Sequence, residues 1–452
     1  VRKTRRIGVV IAALLIIASA VPTLGNSINP ISSVLNFYRL IVVFLTILTI
    51  ILFHGEVRLS GRQCFTRWMT FMILWVVYGV IMLVISPYAD TDRGVRELLS
   101  LVCGVLCFYT LSNLHLTKDE IETVLRVLFF VLTVLVLIGF VEIATGKHMA
   151  TSMFSDPENE VIKRLDIHSA TGFMYNINDF SALITLMLPV AIGRFRIRLY
   201  RVYIDPGWIL VACVWFINRA NDANICVVSM IIGIMLYFII QTWKDRRGIA
   251  LVLVGLLFFA VVLFVVFFFQ FNQKSDLLSR TFLLMDKSAQ GQGSIYSRTE
   301  LYKNAINASW MSGFLGLGPG GYPTFFSQYK TDTALINPHS LLMEILSQYG
   351  LLIFLAFVLL LVSLYRRSFK LYSNSKDYEI KEWGRMGMIW VVTYILTSFA
   401  PSSYIQFSFH WTLLALICLI TETAGELTDS GEEEVPRGNF LFPARRRSAG
   451  KA

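Results

Sequence analysis

Charge is scarce in this chain. Asp, Glu, Lys and Arg make up 15% of its 452 residues, against roughly a quarter in ordinary globular proteins. So little polar surface excludes a soluble fold of this length. Cysteine is also sparse. Cys64, Cys103, Cys107, Cys213, Cys226 and Cys418 all fall in apolar runs or in segments expected on the cytoplasmic side. That leaves no extracytoplasmic disulfide framework. No glycine-rich stretch ends in Lys-Ser or Lys-Thr, so a nucleotide-phosphate loop is absent. Acidic pairs suited to a phosphate-bridging metal are equally few, with Asp90-Thr91-Asp92 the one candidate outside. There is no convincing internal repeat of the kind common in inverted-repeat transporters. The net charge of +10 does not point to nucleic acid, because the positive residues lie between apolar blocks rather than on one face.

What is abundant is hydrocarbon. Hydrophobic residues make up 55% of the chain and the mean hydropathy is +0.62. They come in blocks of roughly 17–25 residues, the length that crosses a bilayer core. The pattern predicts an all-α polytopic membrane protein with about twelve transmembrane helices. Residues 1–269 carry spans one to nine, and 339–425 carry ten to twelve. Between them, 270–338 form a large extracytoplasmic loop with amphipathic helices, and 426–452 form a disordered cytoplasmic tail. The first span follows Arg2, Lys3, Arg5 and Arg6 and lacks a small-residue cleavage site, so it is read as an uncleaved helix. The clusters Arg194, Arg196, Arg198 and Arg201; Lys244, Arg246 and Arg247; and Arg366, Arg367 and Lys370 place alternate connections in the cytoplasm. Both termini are then inside and the long loop outside. The tail's basic end, Arg445 to Arg447, either touches anionic lipid or is a solvated tail without a role.

The loop is too apolar for a free linker. It holds Trp310, Phe314, Tyr322, Phe325, Phe326 and Tyr329, and a helical stretch over 297–309. It is expected to pack over a cavity on the outer face. Its segment Gly316-Leu317-Gly318-Pro319-Gly320-Gly321-Tyr322 is either a tight turn or a turn that shapes a sugar or lipid-phosphate site. Three further residues stand where bare helix packing would not place them. Arg219 closes the seventh span, Arg298 opens the loop helix, and His339 lies at the mouth of the tenth span. The plain alternatives are interfacial anchors for the arginines and a helix cap for the histidine.

In this order and placement the motifs resemble the signature region of the O-antigen ligase and O-antigen polymerase family. The resemblance rests on Arg298 with its helix, the glycine turn, Asn337-Pro338-His339-Ser340 and Gln348-Tyr349-Gly350. Two further stretches agree, Gly172 to Phe180 with Asn176 and Asn178, and Asn218-Arg219-Ala220. Three positions depart from the family pattern. Ser340 follows the histidine where Asn is frequent, Leu301 or Tyr302 stands where Trp is frequent, and Asn218 replaces Ser or Thr. The resemblance implies a bacterial membrane glycosyltransferase of inverting stereochemistry. It would move a glycan from a polyprenyl diphosphate carrier to a glycan, lipid or wall-polymer acceptor on the outer face of the cytoplasmic membrane.

Physical chemistry leads the same way. Diphosphate charge grows as the glycosidic bond breaks and needs cationic stabilisation. Without paired carboxylates for Mg²⁺, arginines are the metal-free solution, and no cofactor is expected. Arg219 and Arg298 are the first candidates, with Arg280 and Arg164 in reserve. His339 is the candidate general base. Asn176, Asn178, Asn337, Tyr322 and Glu344 are candidate substrate contacts, and Glu344 is also a reserve acid or base. The competing reading is a transporter or flippase of lipid-linked sugars. It would place ionisable residues near mid-span, whereas here they gather at the outer ends.

Overall fold

The computed structural model describes residues 2–24, 35–53, 62–155, 166–195, 197–199, 202–242, 294–328 and 337–429. The expected ninth span (249–269), Arg164, Arg280, Tyr329 and residues 430–452 lie outside them. Eight helices precede the long loop: α1 (Arg2–Ala20), α2 (Phe37–Leu52), α3 (Gln63–Ile85), α4 (Thr91–Ser112), α5 (Lys118–Thr145), α6 (Ile177–Ala191), α7 (Gly207–Ala220) and α8 (Asn224–Thr242). The loop contributes α9 (Ser294–Met311) and α10 (Gly321–Gln328). Then come α11 (Leu341–Asn374), α12 (Tyr378–Thr397) and α13 (Ser408–Asp429). Six of these, α3, α4, α5, α8, α11 and α13, are long and apolar enough to cross a membrane, and α1, α2, α6 and α7 supply shorter apolar helices.

The helices sort by their exposed faces. On α3 the large apolar side chains Leu74, Val77, Ile81 and Val84 are exposed, and on α5 Phe130, Val134, Leu137 and Val141. Spacings of three and four put each set on one stripe. In water such stripes would be a liability, and in a bilayer they are the lipid face. Helix α13 is different. From Ser408 to Ala424 every residue is buried, so it is the axis around which α4, α1 and α12 pack.

The helix ends follow from local chemistry. Thr117 and Glu120 form a capping box at the start of α5, and Gly146 ends that helix in the left-handed region, φ +64. Asp90 caps α4 through Arg93 N at 3.0 Å. The sequence places this span at 98–114, but the cap starts the helix at Thr91. One polar turn therefore becomes helical, and it carries Arg93, Arg96 and Glu97. The all-helical class holds, with one detail to correct among the described residues. Strands β1 (Ile197–Leu199) and β2 (Val202–Ile204) pair antiparallel between α6 and α7, with Arg198 opposite Tyr203. The arginines there mark a basic connection, yet the alternation through Ile197, Leu199, Val202 and Ile204 is that of a strand. A second correction concerns the tail. Helix α13 continues to Asp429, and Glu426 pairs with Arg62 at 3.0 Å.

That pair belongs to a belt of charges at one end of the bundle. Lys118–Asp377, Arg194–Glu122 and Arg367–Glu422 each close at 2.6 Å there. The opposite end carries α9, α10, the 398–407 connection and the candidate site.

The glycine turn is the brace of that end. Leu317 N donates to Ser347 O and Gly318 N to Gln348 O, both at 2.9 Å, and Leu351 N donates to Phe314 O. These bonds clasp α11 where Gly350 (φ 79, ψ 179) leaves the helical region. Gly316 has φ +92, and a Cβ on it would come 2.5 Å from the Gln348 carbonyl oxygen and 2.6 Å from Gly350 N. So the glycines allow close approach of the chain to itself. Gly316→Ala should destabilise the protein by about 2–4 kcal/mol, from left-handed strain plus overpacking. Gly313 (φ +61) has open space around it, so Gly313→Ala should cost only about 1 kcal/mol. Apparent Tm values of the two variants in detergent check the difference.

Candidate active site

His339 sits between Pro338 and Ser340, whose hydroxyl caps α11. Its φ is +49, a left-handed conformation that a non-glycine residue adopts only when its surroundings impose it. The sequence Asn-Pro-His-Ser imposes it here. Proline restricts the residue before it, Ser340 must be extended to cap, and the turn between them falls on His339. Burial and the nearby Arg298 charge lower the imidazole pKa to about 4, partly opposed by a hydrogen bond with the Ala400 backbone. The ring is therefore neutral at pH 7. Its Nδ1 is buried and has no hydrogen-bond partner among the described residues. A capping role is excluded, since Ser340 does the capping.

Arg298 lies in the first turns of α9, and Tyr302 one turn on packs against Phe399 in the 398–407 connection, ring centroids 6.1 Å apart. This holds α9 over the mouth of α11. The Arg298 charge also reaches Cys226, in the first turn of α8. Arg219 approaches α8 from the end of α7, where its Nη1 donates to Asn224 Oδ1 at 2.8 Å. Among the described residues neither arginine has a carboxylate within ion-pair distance. They thus stand around the amino end of one helix, whose backbone N–H groups add to the positive potential. The structure brings Arg298 and His339 together, while Arg219 is exposed and reaches the same end from another helix pair.

Beside His339 opens a polar cavity of about 260 Å³. It is lined by Asn337 and Pro338, by Arg93, Arg96 and Glu97 of α4, by Pro323 of α10, and by Glu344 and Gln348 of α11. Ser402, Ser403 and Gln406 complete the wall. Glu344 is held by Ser403 Oγ at 2.5 Å, Tyr404 N at 2.9 Å and Ile405 N at 3.2 Å. Glu97 accepts from Gly320 N at 3.2 Å and Tyr349 hydroxyl at 3.1 Å. Both carboxyl groups thus tie the cavity wall to elements distant in sequence.

Other candidates have structural contacts of their own. Tyr322 is fully buried, donates to the Leu301 carbonyl at 2.8 Å, and packs with Phe325 and Phe326 in the small core under α9. It has no face to offer a ligand. Asn176 caps α6 by accepting from Asn178 N at 2.8 Å. Asn178 is half-buried on that same first turn. Asn218 is buried against Thr185. The sequence reading passed over Arg93, Arg96 and Gln348 in the cavity wall, and Asp179, whose Oδ1 is buried with no partner among the described residues. The signal for the arginines was the Asp90 cap. Asp92 is committed to Arg96, and Asp90 to its cap. A separate crevice among α6, α8 and α12 is mostly apolar. Its arginines, Arg194 and Arg385, are paired with Glu122 and Glu382, so it offers no group for transfer chemistry.

Residues 207–358 match the family model described as O-antigen ligase. The matched segment runs from α7 into α11 and contains Arg219, Arg298, the glycine turn, His339 and Glu344. A relative in Bacillus subtilis (strain 168), the teichuronic acid biosynthesis protein TuaE, is 26% identical over 403 residues, which is 84% of this chain and 77% of TuaE. The O-antigen ligase match stops short of α4, so Arg93 and Arg96 stand outside it.

Proposed function

We propose that this protein transfers a glycan from a polyprenyl diphosphate carrier to an acceptor hydroxyl at the outer face of the cytoplasmic membrane, as a surface-polysaccharide polymerase or ligase. The observation that carries the proposal is His339. It is a neutral imidazole in a strained conformation, near Arg298, which has no acidic partner among the described residues, and it follows Asn337 and Pro338, which line a polar cavity. The acceptor oxygen attacks the anomeric carbon, and His339 takes its proton as the new bond forms. The bond from that carbon to the diphosphate oxygen breaks, and its electron pair leaves with the diphosphate. Arg298 and Arg219 stabilise that charge. Direct displacement inverts the anomeric centre. The arginines supply the positive charge that Mg²⁺ provides in many phosphate-handling enzymes, so no metal is needed for this step. Membership in a polysaccharide pathway agrees with the name of the Bacillus relative.

The test is transfer by purified protein in liposomes, with a polyprenyl-diphosphate oligosaccharide and no nucleotide. Polyprenyl diphosphate should be released and a longer or newly attached glycan should form, unchanged by EDTA. Movement of donor between leaflets without product would instead identify a flippase. Loss of turnover with EDTA would overturn the arginine-only mechanism.

A further inference from the structure

The carboxyl end of α9 carries an apolar patch that the candidate site does not use. Trp310 is 70% exposed, and Ile306, Phe314 and Leu315 are exposed beside it. Trp310 and Phe314 meet edge to face, ring centroids 5.4 Å apart. Between Lys303 and Lys330 the sequence holds no charged residue. In water such a patch is a liability.

Two observations name what covers it. The first is continuity with the lipid face of the bundle. Tyr78 hydroxyl donates to the Leu315 carbonyl at 2.5 Å. Tyr78 lies two turns before the end of α3, about 10 Å along the axis. The end of α9 therefore lies alongside α3 rather than above it, next to the exposed stripe of Val77, Ile81 and Val84. On its other side Leu351 N donates to Phe314 O. There α11 begins its own exposed stripe with Leu352, 78% exposed, followed by Leu355 and Leu359. The patch thus joins two lipid faces into one. The second observation is the backbone. Every N–H from Gly313 to Gly318 is hydrogen-bonded within the chain. Gly313 donates to Trp310 O, Phe314 to Ser309 O, Leu315 to Ser312 O, and Leu317 and Gly318 to α11. Gly316 donates to Ser312 Oγ at 3.0 Å. Yet residues 313–315 are exposed. Water would satisfy such groups without help from the protein. Hydrocarbon cannot, so backbone that enters lipid must be bonded internally.

We infer that the carboxyl end of α9 is an interfacial anchor, with Trp310, Phe314 and Leu315 seated at the boundary of headgroups and acyl chains in the leaflet at the site end. Tryptophan is the side chain best suited to that level. Arg298 stands on the same helix, about 18 Å away along its axis. The anchor therefore fixes the height at which Arg298 is held. The bearing of that height on catalysis rests on the transferase reading, whereas the seating in lipid does not.

Tryptophan emission of the full-length protein in nanodiscs tests this. Phospholipids brominated near the headgroup end of the acyl chain quench from within the bilayer, and iodide quenches from water. The difference between wild type and Trp310→Phe isolates the Trp310 emission, and phenylalanine keeps the ring and the fold. That emission should be largely lost in brominated lipid and should survive iodide. Quenching by iodide alone would place the patch in water. Emission that neither quencher reaches would place a protein surface on it, a second copy of this chain included. Either result would overturn the anchor. In the transfer assay W310E/F314E should release the end of α9 and lower kcat several-fold, while Trp310→Leu, which keeps the apolar contact, should leave it near wild type. An unchanged kcat in W310E/F314E would overturn the link to Arg298. If brominated lipid quenches Trp310 and no glycan is ever transferred, the anchor stands and the transferase reading falls. If glycan is transferred and Trp310 answers only to iodide, the reverse holds.

Discussion

His339→Ala should lower kcat/KM for glycan transfer by about 10²–10⁴-fold, the span typical of losing a general base, with donor binding intact. The sign of its pH dependence follows from the site. Burial and Arg298 both disfavour the charged ring, and its pKa falls to about 4. The base form is the neutral one, so kcat/KM, which reports the free enzyme, should be level above about pH 5. It should fall about tenfold per pH unit once the pH drops below about 4. Arg298→Gln removes one of the two depressing influences. Its residual activity should therefore show an acid limb displaced upwards, towards the ordinary histidine value of 6.5. A wild-type limb near 6.5 that Arg298→Gln leaves in place would show that His339 is not the titrating base. A near-wild-type rate in His339→Ala would remove it from the chemistry altogether. A weak base of this kind suits the reaction. The anomeric carbon becomes strongly electrophilic as the diphosphate departs, so the acceptor proton need only leave late.

The residues that carry this argument differed in how openly the sequence announced them. The spans were legible because lipid demands long apolar runs, and the site end was legible because arginine and histidine at span mouths are rare there. The start of α4 was hidden for the same reason. A hydropathy window treats the polar turn Thr91 to Glu97 as a connection, and only the Asp90 cap betrays a helix. Arg93 and Arg96 were lost with it. Tyr322 was misread in the opposite direction. An aromatic after a glycine turn looks like a ligand platform, and only tertiary packing reveals the small core of Leu301, Ala305, Leu317 and Phe325 that encloses it. The glycine turn itself was half legible. Close approach by the backbone is expected from the glycines, but what it approaches is the backbone of Gln348 and Gly350, and nothing in the loop sequence names that partner. Cavities are the least legible feature of all. Glu97, Glu344 and Gln348 come from two helices, α4 and α11, far apart in sequence, and meet only in the folded chain.

Arg298→Gln should lower kcat by about 10²–10³-fold, comparable to removing one preorganised group aimed at developing charge. Arg298→Lys should restore little of it. A guanidinium offers a planar fork that grips two phosphate oxygens at once, whereas an ammonium is a compact point charge on a flexible stem. The two arginines should also divide kinetically. Arg298 lies on α9 within reach of His339 and Cys226, close to where the bond breaks, so its loss should appear mainly in kcat. Arg219 is exposed and tethered only to Asn224 among the described residues. In the proposed mechanism it would meet the diphosphate in solvent, where its contribution to ground state and transition state is similar and salt screens it. Arg219→Gln should accordingly raise the donor KM with a smaller change in kcat, and the effect should shrink as ionic strength rises. Donor titrations of the two variants at low and high salt decide the matter. Equal losses in kcat, insensitive to salt, would mean that both arginines grip the leaving group in one closed site, and that Arg219 must move inwards when the donor binds.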